Sequence, residues 1–312
     1  MRSKTHIATL LAGLTFALTA CSDSKPQTEA EPQVVATSDV ASAQAIEVKT
    51  YARFVPERSD DFAFENDLVA FRMYGPALRE GKEDSGVDCW LKRVNYSIID
   101  KWYKQHLEQD KSYHTDWGEG LDNYHVGSSA GCGSSALWLN DQRQPLETFV
   151  DYEILSQTTE KTEFALTFEK EIQGVVYAER KVVSIELGKR LFKATSTFTK
   201  NGEIAADLPV VVAVSTHDEK GEAEVNAELG YIAVWENLDG SGLGTGVKVD
   251  PTRIKQGLVV NSDGVADKGH GLFVLHTDEN GQIIYHAGYG WEKAGDITTA
   301  ENWQAYLAAF QL

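Results

Sequence analysis

From residue 149 onward the chain is a succession of short apolar stretches cut by turns, and this rhythm limits the fold more than any other feature. "FVDYEIL", "TEFALTFEKEI", "VVYAERKVVSIEL", "RLFKATSTFTK", "LPVVVAVSTH", "YIAVWEN", "GLVVNS", "HGLFVLHT" and "QIIYHAGYGW" are rich in Val, Ile, Phe, Tyr and Thr. Several alternate apolar with polar residues, the period of a half-buried strand. "KNGE", "LDGSGLGTG", "NSDG" and "DENG" read as the turns between them. So many strands at short spacing predict a mainly β fold, a large antiparallel sandwich rather than a barrel or a parallel sheet.

Two short helices interrupt the pattern. Residues 97–109, "SIIDKWYKQHLEQ", set Ile98, Trp102 and His106 or Leu107 on one side behind a Ser97 cap. Residues 299–311, "TAENWQAYLAAFQ", set Trp303, Tyr306, Leu307 and Phe310 on one face, with Thr298 and Glu301 spaced as a capping box. Both read as packing elements.

The N-terminus bears on compartment. Arg2 and Lys4 precede the apolar run "IATLLAGLTFALTA", too short to span a bilayer comfortably, which ends in Leu18, Thr19, Ala20, Cys21. That ending resembles the lipobox of bacterial lipoproteins. The resemblance implies a signal peptide over 1–20 and lipidation at Cys21, with Ser22 in place of an aspartate suggesting an outer-membrane lipoprotein, periplasmic or cell-surface. Residues 21–45 are polar and lack a period of 2 or 3.6, so they read as a disordered tether, and 46–312 as a single folded body. On this reading the lipid is the only membrane anchor.

Without Arg2 and Lys4 the 29 basic residues fall to 27 against 47 acids, a formal charge of 27 − 47 = −20. Such a surface repels the phosphate backbone, so nucleic acid is not an expected partner. Cys89 and Cys132 are the remaining pair of thiols, and spacing alone leaves both a bridge and two free thiols open.

Reactive groups concentrate in "YHTDWGEGLDNYHVG", residues 113–127, the start of a segment with five glycines between Gly118 and Gly133. Glycine permits tight turns and close backbone approach to a ligand. The segment therefore reads as an ordered loop lining a cleft, with His114, Glu119, Asp122, Tyr124 and His125 as candidate catalytic groups. A histidine exchanges protons near neutral pH, and a tyrosine becomes a base only when a cation or hydrogen bonds lower its pKa. Carboxylates nearby would orient such a histidine or hold a divalent metal. His114, Asp116, Glu119 and Asp122 offer mixed donors without a recognised ligand spacing, so no metal site is assigned and no cofactor is required. The alternative is a loop whose acids cap backbone amides and whose Tyr124 is core.

A second cluster lies in "RFVPERSDDFAFENDLVAFRMYGPAL", residues 53–78, where Arg53, Arg58 and Arg72 stand among Glu57, Asp60, Asp61, Glu65 and Asp67. If "DLVAFRMYG" is a strand, Arg72 and Tyr74 share one face. An arginine fork suits a carboxylate, so Arg53, Arg72 and Tyr74 are candidates to bind an acidic sugar; an internal ion network fixing the sheet is the other reading. His217 closes an apolar strand and could reach the same cleft. The glycines of "DGSGLGTG" lack the strand-to-helix context of a nucleotide loop.

Four ordered blocks, "PERSDDFAFENDLVAFRMYGPAL", "GVDCWLKR", "YHTDWGEGLDNYHVGSSAGCGSSALW" and "YHAGYGWEKAGDITTAENWQAYL", resemble the family of secreted bacterial proteins catalogued as a domain of unknown function, DUF4861, found in polysaccharide-utilisation gene clusters. The resemblance covers almost the whole body. It implies a galactose-mutarotase-like supersandwich that binds sugar, and an activity similar to the ulvan-oligosaccharide dehydratase. The matching positions are Arg53, Asp61, Glu65, Asn66, Arg72 and Tyr74, then Gly118, Glu119, Gly120, Asp122, Tyr124 and Gly127, and finally Tyr285, Gly288 and Trp291. His125 departs from the basic residue common there, so no histidine-specific role is implied for it.

The resulting expectation is a carbon-oxygen lyase that removes water across C4 and C5 of a non-reducing-end uronic acid in an oligosaccharide. Arg72 or Arg53 would neutralise the sugar carboxylate, Tyr124 with His114 or His125 would serve as base and acid, Glu119 and Asp122 would orient them, and Trp291 would meet the substrate. One alternative is a glycoside hydrolase using Glu119 with Asp122 or Glu65. Another is a non-catalytic glycan-binding lipoprotein with Trp90, Trp117, Trp138 and Trp291 as stacking platforms.

Overall fold

Strand-forming residues are inward-facing at every second position, and this alternation builds the core. In Leu191–Lys200, Phe192, Ala194, Ser196 and Phe198 are buried while the residues between them are less so. The computed structural model describes residues 48–79 and 81–312, so the expected signal peptide, the expected lipidation at Cys21 and the expected tether lie outside the described residues.

The strands form three sheets. The first runs, in order, through Tyr51–Val55, Asp61–Glu65, Ala70–Met73, Asp88–Lys92 and Gly120–Leu121. The largest has Glu222–Asn226, Tyr231–Leu238, Ser241–Lys248, Gln282–Trp291, Leu191–Lys200, Val175–Glu186, Lys161–Ile172 and Phe149–Gln157 side by side, with the short Glu203–Ile204 beside Leu191–Lys200. The third orders Ile254–Val260, His270–His276, Pro209–Ser215, Ser134–Leu139 and Gln142–Gln144. Neighbouring strands pair antiparallel in all three. One apolar core joins them, with Phe62, Phe64 and Phe71 from the first sheet, Phe164 and Phe192 from the second, and Val212 and Phe273 from the third. The mainly β antiparallel sandwich expected from the strand rhythm is the fold observed.

Three local expectations need correction. "LDGSGLGTG" is not all turn: Ser241–Lys248 is a fully buried strand. Its alternating glycines leave a flat strip for the second helix, Ala300–Ala309, because a Cβ on Gly244 would lie 2.5 Å from Trp303. The Trp303 indole donates to the Thr245 carbonyl at 2.9 Å across that strip. That helix is capped by Thr299, which accepts from the Asn302 amide, one residue later than the expected Thr298. The first helix, Ile99–Glu108, is not capped by Ser97. Instead the buried Glu65 carboxylate accepts from the amides of Ile98 and Ile99, a cap from a distant strand that local spacing does not reveal.

Cys89 and Cys132 are bridged, with Cα atoms 6.3 Å apart at a sequence separation of 43. The bridge pins the glycine-rich loop to the strand that carries Asp88, next to the Val87–Gly131 backbone pairing. Closing a loop of this length removes roughly 2 to 4 kcal/mol of unfolded-state entropy. A Cys89→Ser/Cys132→Ser double variant should lose that amount in urea unfolding. A loss under about 1 kcal/mol would show that the backbone pairing alone fixes the loop.

Candidate functional site

The first sheet, the first helix and the loop 113–125 enclose an ionic cluster. Arg72 projects from the Ala70–Met73 strand to a position only 2% exposed, opposite Asp88 in strand register. Its Nη2 lies 2.7 Å from Asp88 Oδ2 and 3.2 Å from Asp122 Oδ2, and its Nε lies 3.9 Å from Asp61 Oδ2. Tyr74, Trp90 and Tyr113 surround the guanidinium at 5.4, 5.3 and 6.0 Å. Arg58 pairs with Asp61 at 3.3 Å and with Glu83 at 3.4 Å, and keeps about a fifth of its side chain exposed.

Three aspartates and Glu83 thus share two arginines. Burial pushes the Asp61 carboxyl from its ordinary 3.8 up to about 7, against the pull of Arg72 and Arg58. Burial likewise raises Asp88, with the Asp122 charge adding to it, and raises Asp122. Like charges this close cannot all ionise, so the cluster retains a proton near neutral pH.

Histidines stand at the mouth. His114 is exposed, and its Nδ1 lies 2.7 Å from the Asp122 carbonyl and 3.6 Å from the Asp122 carboxylate. A carbonyl only accepts, so Nδ1 carries the proton and Nε2 is left as the basic nitrogen facing outward. His106, on the first helix, stacks on Tyr113 at 4.1 Å, and burial together with His114 lowers its pKa. Arg58 Nη1, Asp61 Oδ2, Arg72 Nε and Nη1, Asp88 Oδ1, Tyr103 Oη and His106 Nδ1 have no hydrogen-bond partner among the described residues. Arg58 Nη1, Asp61 Oδ2 and Arg72 Nε are still held as ion pairs, so the atoms left open are Arg72 Nη1, Asp88 Oδ1, Tyr103 Oη and His106 Nδ1, each of which calls for a polar partner. Trp117, 55% exposed, presents an aromatic face on the same loop.

The other expected residues lie elsewhere. Glu119 points to the outer side of the first helix, where Lys101, Tyr96 and the Trp102 indole hold it. Tyr124 is buried, and burial with the Glu236 charge pushes its hydroxyl well above the ordinary tyrosine value, the opposite of what a phenolate base needs. Its ring meets His217 at 4.5 Å. His217 contacts Glu236 Oε2 at 2.8 Å through Nδ1 and the His125 carbonyl at 2.6 Å through Nε2. Two acceptors on one ring favour the imidazolium, in keeping with its raised pKa. His125 is exposed and its Nε2 lies 2.9 Å from Asp267.

Among the expected substrate-binding residues, Arg72 and Tyr74 are buried, and the Arg72 charge is spent on the aspartates, so neither is placed to receive a sugar carboxylate. Arg53 pairs with Glu57 and Asp100. Trp291 is 1% exposed and belongs to the core. Sequence reading gave Asp88, Arg58 and His106 no role at the site. Asp88 carried a usable signal: with Trp90 and Lys92 it lies at alternate positions of a fully buried strand, and a buried acid needs a partner.

Asp61 gives a test by titration. Its folded pKa exceeds its unfolded one, so the native state binds the extra proton, and this contribution is fully present below about pH 4 and lost as pH rises to about 7. Over that window the wild-type stability should fall by at most about 1.4 kcal/mol per pH unit from this group. Urea unfolding of Asp61→Asn from pH 4 to 8 should show that part of the slope removed; an unaltered slope would place the proton on another carboxyl.

The sequence profile of the family described as "Domain of unknown function (DUF4861)" matches residues 13–312. A curated relative, "Uncharacterized protein P7" of Formosa agariphila, is 34% identical over 273 residues, which covers 84% of this chain and 67% of that protein. Among solved structures, the GH36 alpha-galactosidase AgaB of Geobacillus stearothermophilus superposes with a TM-score of 0.34 at 9% identity, covering 77% of this chain and 41% of that one. The alpha-galactosidase of Lactobacillus brevis does so with a TM-score of 0.35 at 8% identity, covering 76% and 40%. The chain thus spans about two fifths of the length of these enzymes. With a match that runs through all three sheets and every residue of the ionic cluster, the chain belongs to the DUF4861 family.

Proposed function

We propose that this protein is a carbohydrate-active lyase that removes water from the non-reducing-end uronic acid of an oligosaccharide. The observation that carries the reading is the proton-retaining aspartate cluster with His114 oriented at its mouth. Elimination across C4 and C5 needs a base for the C5 proton, a cation for the carboxylate that makes this proton acidic, and an acid for the departing hydroxyl. His114 Nε2 is the base. Arg58 is the cation: once Asp61 holds a proton, one of the two carboxylates on this partly exposed guanidinium is neutral, and the sugar carboxylate takes its place. With Asp61, Asp88 and Asp122 buried, the acid is the imidazolium that His114 becomes on taking the C5 proton, which it then gives to the departing hydroxyl. The C5–H electron pair becomes the C4–C5 double bond, the C4–O bond breaks, and the hydroxyl leaves as water. Trp117 offers a face on which a pyranose could stack.

The tethered lipoprotein reading of 1–45 joins this proposal, since a cell-surface or periplasmic anchor would hold the enzyme where oligosaccharides arrive. The test is ultraviolet absorbance of an unsaturated uronate on mixing the protein with uronate-terminated oligosaccharides, with mass spectrometry of the products. Loss of one water with rising absorbance supports the reading. A shortened chain that has gained water would assign hydrolysis by paired carboxylates and overturn it.

A further inference from the structure

A cavity lies away from the ionic cluster. About 370 Å3 in volume, it opens on the outer face of the third sheet, over Trp138, Val260 and Leu272, and is walled by Arg143 and Lys268. Its size is at the small end of ligand pockets, roughly 300 to 1,000 Å3. It holds no acid-base machinery. His270 accepts from the Ala130 amide through Nε2 and donates to the Lys268 carbonyl through Nδ1, and burial lowers its pKa to about 3. Asp267 is engaged by His125 through one oxygen and by the Ser128 amide through the other.

What the cavity offers is a cation whose hydrogen bonds all go to uncharged groups, with Asp141 and Asp267 in the same wall. Arg143 donates to the carbonyls of Ser128 and Ser129, each at 2.9 Å, and to the Ser85 hydroxyl at 3.4 Å, all uncharged acceptors. Among the described residues it makes no ion pair, and its Nε has no hydrogen-bond partner. Burial lowers its pKa to about 10, against the pull of the Asp84 and Asp267 charges. No acid is bonded to this guanidinium, so an anion that reached it would gain a charge-assisted hydrogen bond. Beside it, Trp138 gives an apolar face, Gln142 and Ser128 give polar edges, and Lys268 adds charge at the rim, where Asp263 meets it at 2.9 Å.

We infer that this cavity is a second binding site, non-catalytic, for an anionic pyranose, with the acidic group on Arg143 and the ring against Trp138. The ligand class rests on the carbohydrate reading above; the site itself does not. An acidic oligosaccharide could then be held at the third sheet independently of the cluster where its terminus reacts.

The test is calorimetric titration of the full chain with glucuronate, galacturonate and glucose 6-sulfate, with glucose and glucuronamide as uncharged controls. At least one charged sugar should bind about tenfold or more tighter than the controls, the scale of a charge-assisted hydrogen bond. Val265→Trp, which fills the mouth from an exposed position without touching Arg143, and Arg143→Gln should each remove that advantage, while His114→Asn keeps it. Uronates alone would assign a carboxylate and glucose 6-sulfate alone a sulfate ester, and either supports the site. Equal binding of charged and uncharged sugars, or binding untouched by Val265→Trp, overturns it. Binding lost in Val265→Trp with no elimination by wild type would leave this site standing and sink the lyase; elimination with binding untouched by Val265→Trp would do the reverse.

Discussion

His114→Asn is expected to lower the rate of uronate elimination by about 100-fold to 10,000-fold, the span of a single general base. The substitution removes the outward nitrogen and keeps a group that can donate to the Asp122 carbonyl. The side chain is 55% exposed, so stability should change by no more than about 0.5 kcal/mol. The separation matters: a rate loss accompanied by unfolding would say only that the loop had collapsed. The measurement is kcat on a uronate-terminated oligosaccharide beside a urea unfolding curve. A rate within threefold of wild type would remove His114 as the base.

Arg72→Met has the opposite signature, a loss of about 3 to 5 kcal/mol of stability before any effect on chemistry can be read. Methionine matches the volume but leaves Asp61, Asp88 and Asp122 facing one another in a space closed to solvent. Their way out is protonation, so the variant should regain part of its stability as pH falls from 8 to 5. Urea unfolding at the two pH values reads both effects. A loss under 1 kcal/mol at pH 8 would mean that the aspartates are already largely protonated in the wild type and that Arg72 is not their main support.

The antiparallel sandwich was legible because alternation is a local signal. Phe192, Ala194, Ser196 and Phe198 declare an inward face without reference to any other strand. The strand Ser241–Lys248 was hidden because glycine carries no hydrophobic signal, and its burial comes from Trp303 some sixty positions onward. The helix cap at Ile98 was hidden for the same reason, since its acceptor is Glu65 on another strand. At the site, the loop 113–127 announced itself by density of reactive groups, and His114 and Asp122 do come together. Glu119, Tyr124 and His125 share the loop but not the place, because successive residues of an extended segment point to different neighbours. Asp88 joins the cluster through its register with Arg72, Asp61 from the start of the neighbouring strand and Arg58 from the turn before it, a convergence that no short motif encodes.

That same segment has a consequence for how a ligand would be received. Asp122 is fixed by Arg72, Asn123 by Asp239, Tyr124 lies on His217, the His125 carbonyl is held by His217 and its ring by Asp267, and Asp267 also fills the space a Cβ on Gly127 would need. A loop secured at each successive residue is no closing lid. Little chain entropy remains to be lost when substrate arrives, so affinity follows directly from the contacts made. Changes of substrate preference would then arise at the rim, through residues such as Glu83 and Trp117, with the loop itself held constant.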